Sequence, residues 1–268
     1  MATEGQKIAV IADIHGNIAA LDAVLQDIDA QGITDIYNLG DSVYGALYPR
    51  ETAQRLMDRT ILSVRGNQDR ELQAGLLRNA DESDGLQKRT EPITPPNATF
   101  DYVIKQLSVE QMKWLLDLPL TRTTQDLYMC HAQPTIDDVP LLETIQSDGV
   151  HWRSDEELIQ LLEGIKQPIV LCAHTHVPNL KYLPDGRMII NPGSVGLPAY
   201  HDDLPYEHVM ESRVPHAQYA VLDYTDGSWN VTHRSIVYDW EHAATQAAML
   251  GRHDWAYALR TGLALRDQ

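Results

Sequence analysis

The sequence predicts an α/β fold in one domain over residues 1–268. Short β-rich runs alternate with helical apolar periods over the first 67 residues, and alternating runs joined by hairpin turns follow in the C-terminal half. The length of 268 residues is near the upper end for a single α/β domain, and it buries a sufficient core without disulfides or a structural metal. Strands separated by helices favour βαβ units with parallel pairing.

The first unit of the chain is a predicted strand over residues 7–12 followed by a helix. Apolar residues recur in that helix at the 3.6-residue period. They are Ile18, Leu21, Val24, Leu25 and Ile28. Asn17 is placed to cap the helix, and Gly32 is placed to end it in a left-handed conformation that a Cβ would disfavour.

Two further strands, over residues 35–39 and 61–64, are predicted on either side of a helical stretch over residues 51–57. Residues 70–122 then turn helical and polar, and we interpret them as a helical cap inserted in the domain. Ser108 with Gln111 forms a capping box within it. Three prolines interrupt this segment: Pro92, Pro95 and Pro96.

The second half of the chain returns to strands, over residues 127–130 and 169–173, with a helix between them that Ser154 and Glu157 cap. Two hairpins follow, turning at Pro184-Asp185-Gly186 and at Asp226-Gly227. Their strands are predicted over residues 180–183, 188–190, 219–224 and 229–237. The residues from 239 onward are predicted to form one helix that closes the domain.

The composition restricts the classes of partner. The 38 acidic and 21 basic residues give a formal charge of −17, which opposes binding to long nucleic acids and to anionic membranes. Cys130 and Cys172 each lie in an apolar run, where a buried, reduced thiol is expected. The N-terminus has no apolar stretch of signal-peptide type, and no run of roughly 18 apolar residues occurs. We therefore expect a soluble, cytoplasmic protein, and the sequence leaves its oligomeric state open.

Metal-ligand candidates follow five apolar runs of the chain. They are Asp13, His15, Asp41, Asn67, His131, His174 and His176. Because ligands in open α/β sheets bind beyond the carboxyl ends of strands, residues distant in sequence can converge there. Carboxylate and amide oxygens mixed with imidazoles suit Mn, Fe or Zn better than Ca or Mg.

Each candidate also has a plainer interpretation. Asp13 and Asp41 fit helix caps, Asn67 fits a turn and His131 fits a hydrogen-bonded core histidine. Taken alone, Asp13 with His15 fits a cap and a surface histidine better than a metal site. The recurrence of suitable residue types at five strand ends favours the metal interpretation for the whole set.

The spacing of these residues resembles the calcineurin-like metallophosphoesterases. The motifs are Asp13-x-His15, Gly40-Asp41 with Gly45, Gly66-Asn67-x-Asp69, His131 and Ala173-His174-x-His176. The chain length and Asn191-Pro192-Gly193-Ser194 are most similar to the small bacterial branch of phosphodiesterases and diadenosine tetraphosphate hydrolases. The resemblance implies a four-layer α/β/β/α sandwich of two mixed sheets flanked by helices.

The resemblance also implies the role of each ligand. Asp13, His15 and His176 would hold one divalent metal, and Asn67, His131 and His174 the other. Asp41 would bridge both metals, with Mn favoured in vitro, and a metal-bridging hydroxide would attack phosphorus. The residues expected to act in catalysis are Asp41, Asn67, Gln68 and Asp69.

The sequence departs from the family pattern at two positions. Gln68 stands where a histidine is common, and an amide cannot deliver a proton to a leaving group. Asp69 then has no imidazole to orient, and Ala173 replaces a usual glycine. Four further residues beside the motifs are candidate substrate contacts: Arg65, Arg70, Tyr200 and His201. The tryptophans 114, 240 and 255, at helical spacing from apolar residues, are interpreted as packing residues.

These features favour a metal-dependent hydrolase of phosphodiester or phosphoanhydride bonds in a small nucleotide, with a dinucleoside polyphosphate as the preferred example. The alternative activity is that of a protein serine/threonine phosphatase or a small-molecule phosphomonoesterase. A binding scaffold on the same fold is the alternative of another class, although such scaffolds tend to lose ligands. A DNA nuclease conflicts with the acidic charge.

Overall fold

The computed structural model describes residues 2–59, 61–83 and 98–266. The strands of the described residues are β1 (Lys7–Ile11), β2 (Asp35–Asn38), β3 (Leu62–Ser63), β4 (Thr121–Thr123), β5 (Leu127–Cys130), β6 (Glu143–Gln146), β7 (Gly149–Trp152), β8 (Ile169–Leu171), β9 (Asn179–Tyr182), β10 (Met188–Asn191), β11 (Ala199–Asp202), β12 (His208–Glu211), β13 (Ala217–Thr225) and β14 (Ser228–Ile236). The helices are α1 (Ile18–Ala30), α2 (Pro49–Asp58), α3 (Asn67–Ser83), α4 (Ala98–Gln106), α5 (Val109–Leu116), α6 (Asp155–Leu161), α7 (Trp240–Met249) and α8 (His253–Thr261).

Ten of these strands form two five-stranded mixed sheets. The first sheet has the order β14-β13-β1-β2-β3, and the second has the order β4-β5-β8-β10-β9. Strands β1, β2 and β3 are parallel, as are β5, β8 and β10, whereas the hairpin partners are antiparallel. The carboxyl ends of the parallel strands of each sheet therefore share one edge.

The two sheets face each other across a common apolar core, which period-2 alternation along the strands creates. In β1, Ile8 and Val10 belong to the core between the sheets, together with Met129 of β5 and Leu171 of β8. The alternate residue Ile11 faces a second core, built with α1, α7 and α8. A third core on the outer face of the second sheet includes Leu158 of α6. These layers confirm the predicted α/β/β/α sandwich.

Local signals in the sequence account for several element ends. The Asn17 side chain accepts a hydrogen bond from the Ala20 amide at the start of α1, and Gly32 beyond its end has φ +69°. The two predicted capping boxes, at Ser108 and Ser154, are both formed. Asp226-Gly227, both at positive φ, turns β13 into β14 as predicted.

The segment between β3 and β4 is helical where the structure describes it. Helices α3, α4 and α5 enclose a small apolar core with Val43 and Tyr44, which follow β2. The helical segment begins at Asn67, and β4, which follows it, belongs to the second sheet. Residues 84–97, with Pro92, Pro95 and Pro96, lie outside the described residues.

The C-terminal prediction of one helix is wrong, because Gly251, at φ +78°, separates α7 from α8. The two-stranded ribbons β6/β7 and β11/β12 also have no counterpart in the prediction. Each of their strands has only four residues, too few for alternation to show a period. In the described ranges, no helix has the length and apolar character needed to cross a membrane.

Candidate metal centre

Five strand-end loops bring the seven ligand candidates together. Asp13 and His15 follow β1, Asp41 follows β2, and Asn67 is the first residue of α3 after β3. From the second sheet, His131 follows β5, and the pair at 174 and 176 follows β8. Five of the seven residues are buried, with at most 4% of their surface exposed. The carboxyl ends of the parallel strands therefore bring together all seven candidate ligands.

The ligand loops have unusual backbone conformations. Five of the seven non-glycine residues with positive φ in the described part of the chain are ligand candidates. They are Asp13 at 52°, His15 at 50°, Asp41 at 52°, His174 at 72° and His176 at 60°. Such conformations cost of order 1–3 kcal/mol each and concentrate at functional sites, where the surrounding structure holds them.

The first group of donor atoms comes from Asp13, His15 and His176. The Nε2 atoms of the two histidines are 3.2 Å apart, and His176 Nε2 is 3.4 Å from Asp13 Oδ1. The Nδ1 atom of each ring lies within hydrogen-bond distance of a backbone carbonyl, that of Tyr44 for His15 and of Leu197 for His176. In the neutral rings this assigns the hydrogen to Nδ1, so both Nε2 atoms face each other as lone pairs. Three acceptors thus point at one space.

The second group comes from Asn67, His131 and His174. The Asn67 Oδ1 atom lies 3.1 Å from His131 Nε2 and 3.1 Å from His174 Nδ1. The Leu39 carbonyl accepts from His131 Nδ1 at 2.8 Å, which again leaves Nε2 as an acceptor.

Asp41 lies between the two groups. Its Oδ2 atom is 3.5 Å from His131 Nε2 and 3.9 Å from His15 Nε2. Its Oδ1 atom accepts a hydrogen bond of 2.9 Å from the backbone N–H of Gln68. One carboxylate oxygen is thereby fixed by the backbone, and the other faces both sets of donors.

The residues fit bound cations. Both carboxylate oxygens of Asp13 are buried without a hydrogen-bond partner among the described residues, an arrangement that costs free energy unless a cation is present. Groups of buried donor atoms within 4.8 Å of one another occur at Asp13, His15 and His176, and at Asp13, Asp41 and His131. This mixed N/O donor set suits Mn, Fe or Zn.

The ionisation of these side chains also points to a cation. Burial, followed by repulsion from Asp69 and Asp13, raises the pKa of Asp41 well above its usual range, and a bound cation reverses this effect. Burial opposes ionisation of Asp13, yet the surrounding histidines lower its pKa to about 2. Burial lowers the pKa values of His15 and His174 to about 3, so both rings are neutral at pH 7 and their lone pairs are available.

Neighbouring polar residues and glycines support the ligand loops. Ser194 Oγ donates to the Asp13 carbonyl at 2.8 Å, and Asn191 Nδ2 donates to the Ala173 carbonyl at 3.0 Å, so the segment Asn191-Pro192-Gly193-Ser194 contacts two ligand loops. A Cβ at Gly66 would lie 2.1 Å from Asp41 Oδ1, and one at Gly196 would lie 1.7 Å from the Ile14 carbonyl oxygen. These two positions therefore admit only glycine without displacement of the loops.

Asp69 and Gln68 have different environments. The fully buried Asp69 carboxylate accepts from the Ser42 and Gly66 amides, both at 3.1 Å, and burial raises its pKa to about 6. Asp69 thus joins the loops that carry Asp41 and Asn67. Gln68 lines the cavity over the site, and its buried Oε1 has no hydrogen-bond partner among the described residues.

The four candidate substrate contacts divide into two pairs. Arg65 and Arg70 bind the buried carboxylate of Asp137, at 3.3 and 2.7 Å, and neither lines the described cavity. In contrast, Tyr200 and His201 of β11 line it. The Tyr200 ring lies 4.8 Å from the His176 ring, and its hydroxyl donates to the His174 carbonyl. The structure therefore groups only the second pair with the donor atoms.

A cavity of about 550 Å³ lies over the donor atoms. Seven of its lining residues were not among the candidates: Tyr44, Ala98, Thr99, Leu197, Asp202, Arg252 and Trp255. Trp255, interpreted from sequence as a packing residue, is buried, and its ring packs edge-on against His15 at 5.5 Å. No local signal marks Arg252 or Trp255, because α8 reaches the site only through its packing on α7 and β11.

The fold and the donor set together define a class, the α/β sandwich metalloproteins of phosphoesterase type. A family model of the calcineurin-like phosphoesterase superfamily domain matches residues 7–227. The chain therefore belongs to the calcineurin-like phosphoesterase superfamily, as the order of its motifs indicated.

Three relatives illustrate this membership. The uncharacterised protein MJ0912 of Methanocaldococcus jannaschii is 31% identical over 211 residues, which cover 71% of this chain and 76% of that protein. The crystal structure of a metallophosphoesterase from Sphaerobacter thermophilus is similar with a TM-score of 0.69 and 23% identity, and covers 97% of this chain and 100% of that one. The crystal structure of the hypothetical protein PH1004 from Pyrococcus horikoshii OT3 is similar with a TM-score of 0.71 and 19% identity, and covers 96% of this chain and 98% of that one. At these identities the two structures show the fold.

Proposed function

We propose that the protein is a two-metal hydrolase of phosphodiester or phosphoanhydride bonds in a small nucleotide. The observation that carries the proposal is the position of Asp41. Its Oδ2 atom lies 3.9 Å from His15 Nε2 of the first donor group and 3.5 Å from His131 Nε2 of the second, while the backbone holds its Oδ1 atom. A carboxylate so oriented is suited to bridge two cations.

Asp13, His15 and His176 would hold one cation, and Asn67, His131 and His174 the other, with Asp41 shared. Two divalent cations of the Mn, Fe or Zn type supply an activated water and neutralise charge on the phosphoryl oxygens. The chain's contribution is to fix the donors. Carbonyls of Leu39, Tyr44 and Leu197 set the tautomers of three of the four rings, those of His131, His15 and His176, so these imidazoles present their lone pairs without reorganisation.

The substrate class is inferred from Gln68 and from charge. An amide cannot protonate a leaving group, and general acid help is typically worth roughly 10²–10⁴ in rate. Nucleotide phosphates and aryl oxides depart without such help more readily than the alkoxide of serine or of a sugar. The formal charge of −17 opposes long nucleic acids, whereas the cavity of about 550 Å³ suits a small ligand.

We also propose that the helical segment between β3 and β4 selects the substrate. Ala98 and Thr99 at the start of α4 line the cavity beside the donor atoms. This segment forms part of the cavity wall and supplies one of the seven donors, Asn67. It is therefore suited to control which substrates reach the site rather than to carry out bond cleavage. The presence of all seven donors supports an enzyme rather than a scaffold.

The test is hydrolysis by manganese-loaded protein of bis(p-nitrophenyl) phosphate, dinucleoside polyphosphates, cyclic nucleotides and phosphopeptides. We expect the dinucleoside polyphosphates to have the highest kcat/KM among the biological substrates, and chelation to abolish all activity. Full activity after chelation, or a preference for phosphopeptides, would overturn the proposal. Titration of the metal-free protein with Mn²⁺ by calorimetry provides an independent count, expected to be two.

A further inference from the structure

The cavity over the donor atoms has one basic residue of the Lys or Arg type among the described residues that line it. This residue is Arg252, which directly precedes α8. It lies beyond residue 227, where the family match ends. In a protein of formal charge −17, a lone guanidinium in the wall of a phosphate-processing site requires explanation.

The Arg252 side chain is held from three directions. Its Nε and Nη2 atoms donate to the two carboxylate oxygens of Asp254, at 2.9 and 2.6 Å, and Nη1 donates to Thr99 Oγ1 at 3.0 Å. The guanidinium carbon also lies 4.8 Å from the centre of the Trp255 ring. Two of the five guanidinium hydrogens remain without a partner within residues 2–59, 61–83 and 98–266. The guanidinium is thus held in one orientation before a ligand binds, and it keeps two donor hydrogens for that ligand. Its formal charge is balanced by Asp254.

Trp255 connects this guanidinium to the donor atoms. Its ring lies 4.8 Å from the Arg252 guanidinium carbon and 5.5 Å from the His15 ring. Arg252 is therefore connected to a ligand imidazole through one shared neighbour, the Trp255 ring. Because Arg252 and His15 already pack against it, the indole acts as a support for the guanidinium rather than as a platform for a base.

Arg252 also lines a second, smaller cavity of about 210 Å³. The two cavities share four lining residues: Tyr200, His201, Arg252 and Trp255. Arg252 therefore contributes to the walls of both cavities.

We infer that Arg252 binds a second, non-reacting phosphate of the substrate, and that the substrate class is therefore nucleotides with a phosphoanhydride-linked phosphate chain. This inference rests on the proposed function and deepens it. A guanidinium fork matches the oxygens of a phosphate with two parallel hydrogen bonds, whereas an aryl phosphodiester has no second phosphate to offer. Arg252 would thus discriminate by binding and leave bond cleavage to the donor centre.

The test compares Arg252→Met, which keeps an unbranched stem over Trp255, with Arg260→Met as a matched control. Arg260 lies on α8, pairs with Glu241 at the surface and does not line the cavity. We expect Arg252→Met to lower kcat/KM for a dinucleoside polyphosphate, relative to bis(p-nitrophenyl) phosphate, by about 10- to 100-fold, chiefly through KM. Arg252→Lys, which keeps the charge but loses the fork, should give a smaller loss.

Calorimetry provides a readout independent of turnover. The affinity for a methylene-bridged dinucleotide analogue, measured with manganese-loaded protein, should fall with Arg252→Met and remain unchanged with Arg260→Met. Equal losses on both substrates, or unchanged analogue affinity, would overturn the inference while the proposed function stands. If wild type hydrolyses neither substrate, the proposed function fails, and analogue binding still decides the role of Arg252.

Discussion

At the scale of single residues, the metal centre combines features that are visible in the sequence with features that are not. The residue types and the order of the seven donors were read directly from the motifs. Neither the positive φ of five of them nor the carbonyls that set three ring tautomers has a sequence signal. Both depend on contacts between distant loops, such as His176 with Leu197, which no local pattern encodes.

Asp41 and His15 should differ in their effect on metal content. We expect Asp41→Asn to lower occupancy of both metals, because Asp41 Oδ2 faces both donor groups, whereas His15→Ala should reduce chiefly one. Metal content after dialysis, measured by mass spectrometry, gives the stoichiometry. If both variants lost the same single metal, the bridging position assigned to Asp41 would be wrong.

Gln68 should control the preference between leaving groups. Gln68→His introduces an imidazole at a position that lines the cavity, and we expect it to accelerate an alkyl phosphate monoester selectively, by up to roughly 10²-fold. A phosphoanhydride dinucleotide should gain little, because its leaving group is weakly basic. A wild type already faster on the alkyl monoester would contradict both the role of Gln68 and the substrate ranking.

At the scale of elements, ion pairs attach the start of α3 to the loop after β5. Arg65 before the helix and Arg70 within its first turns share the buried carboxylate of Asp137. The same turn carries Asn67 and the Gln68 amide that holds Asp41. The arginines singled out from sequence as phosphate contacts therefore orient a ligand-bearing helix in the structure, and a partner 67 or more positions away cannot be found by inspecting their neighbours.

Asp137→Asn should loosen this attachment. The substitution removes the buried charge that pairs with Arg65 and Arg70, whose side chains are 28% and 29% exposed. We expect it to lower the free energy of unfolding by about 1–3 kcal/mol. The affinity for one of the two metals, the one assigned to Asn67, should weaken more than the other. Asp138→Asn is the matched control, since Asp138 is exposed and pairs with Arg70 alone. Equal effects of the two substitutions on urea unfolding and on metal titration would exclude this role for Asp137.

The sequence was informative for elements with a clear period or cap and uninformative for short ones. Helix α1 was predicted from five apolar positions and its Asn17 cap, all of which the structure shows. The break at Gly251 was missed because alanines and leucines continue on both sides of it. That break directs α8 back to β11 and brings Arg252 and Trp255 to the cavity.

At the scale of the whole molecule, the arrangement of the two sheets can be predicted only from the family resemblance. Strand β1 pairs with β13, so Lys7 lies opposite Asp223, and no periodicity along the chain specifies such a partner. Periodicity gave an α/β class, and the motif order gave the sandwich. Both sheets must be present before either donor group is complete. The first group needs His15 after β1 and His176 after β8, and the second needs Asn67 after β3 and His131 after β5.

The stability of the whole molecule should depend on pH through Glu143, on β6. Burial raises its pKa from 4.5 to about 7. The native state thus binds a proton that the unfolded chain releases, so this contribution to stability is fully present below pH 4.5 and is lost as pH rises through 7. Glu143→Gln mimics the protonated form. We expect it to match wild type near pH 4.5 and to exceed it at pH 9 by up to about 3 kcal/mol.

The difference in stability between Glu143→Gln and wild type is measured by urea unfolding at pH 5, 7 and 9. A chelator is present in these experiments to remove any contribution from metal binding. The exposed Glu163→Gln is the control, because it deletes the same charge where water already solvates it. The advantage of Glu143→Gln over wild type should grow with pH, whereas any difference for Glu163→Gln should stay within about 0.5 kcal/mol. A Glu143→Gln variant whose advantage is constant from pH 5 to 9 would mean that this carboxyl is already ionised in the folded protein, with its charge stabilised by Arg153.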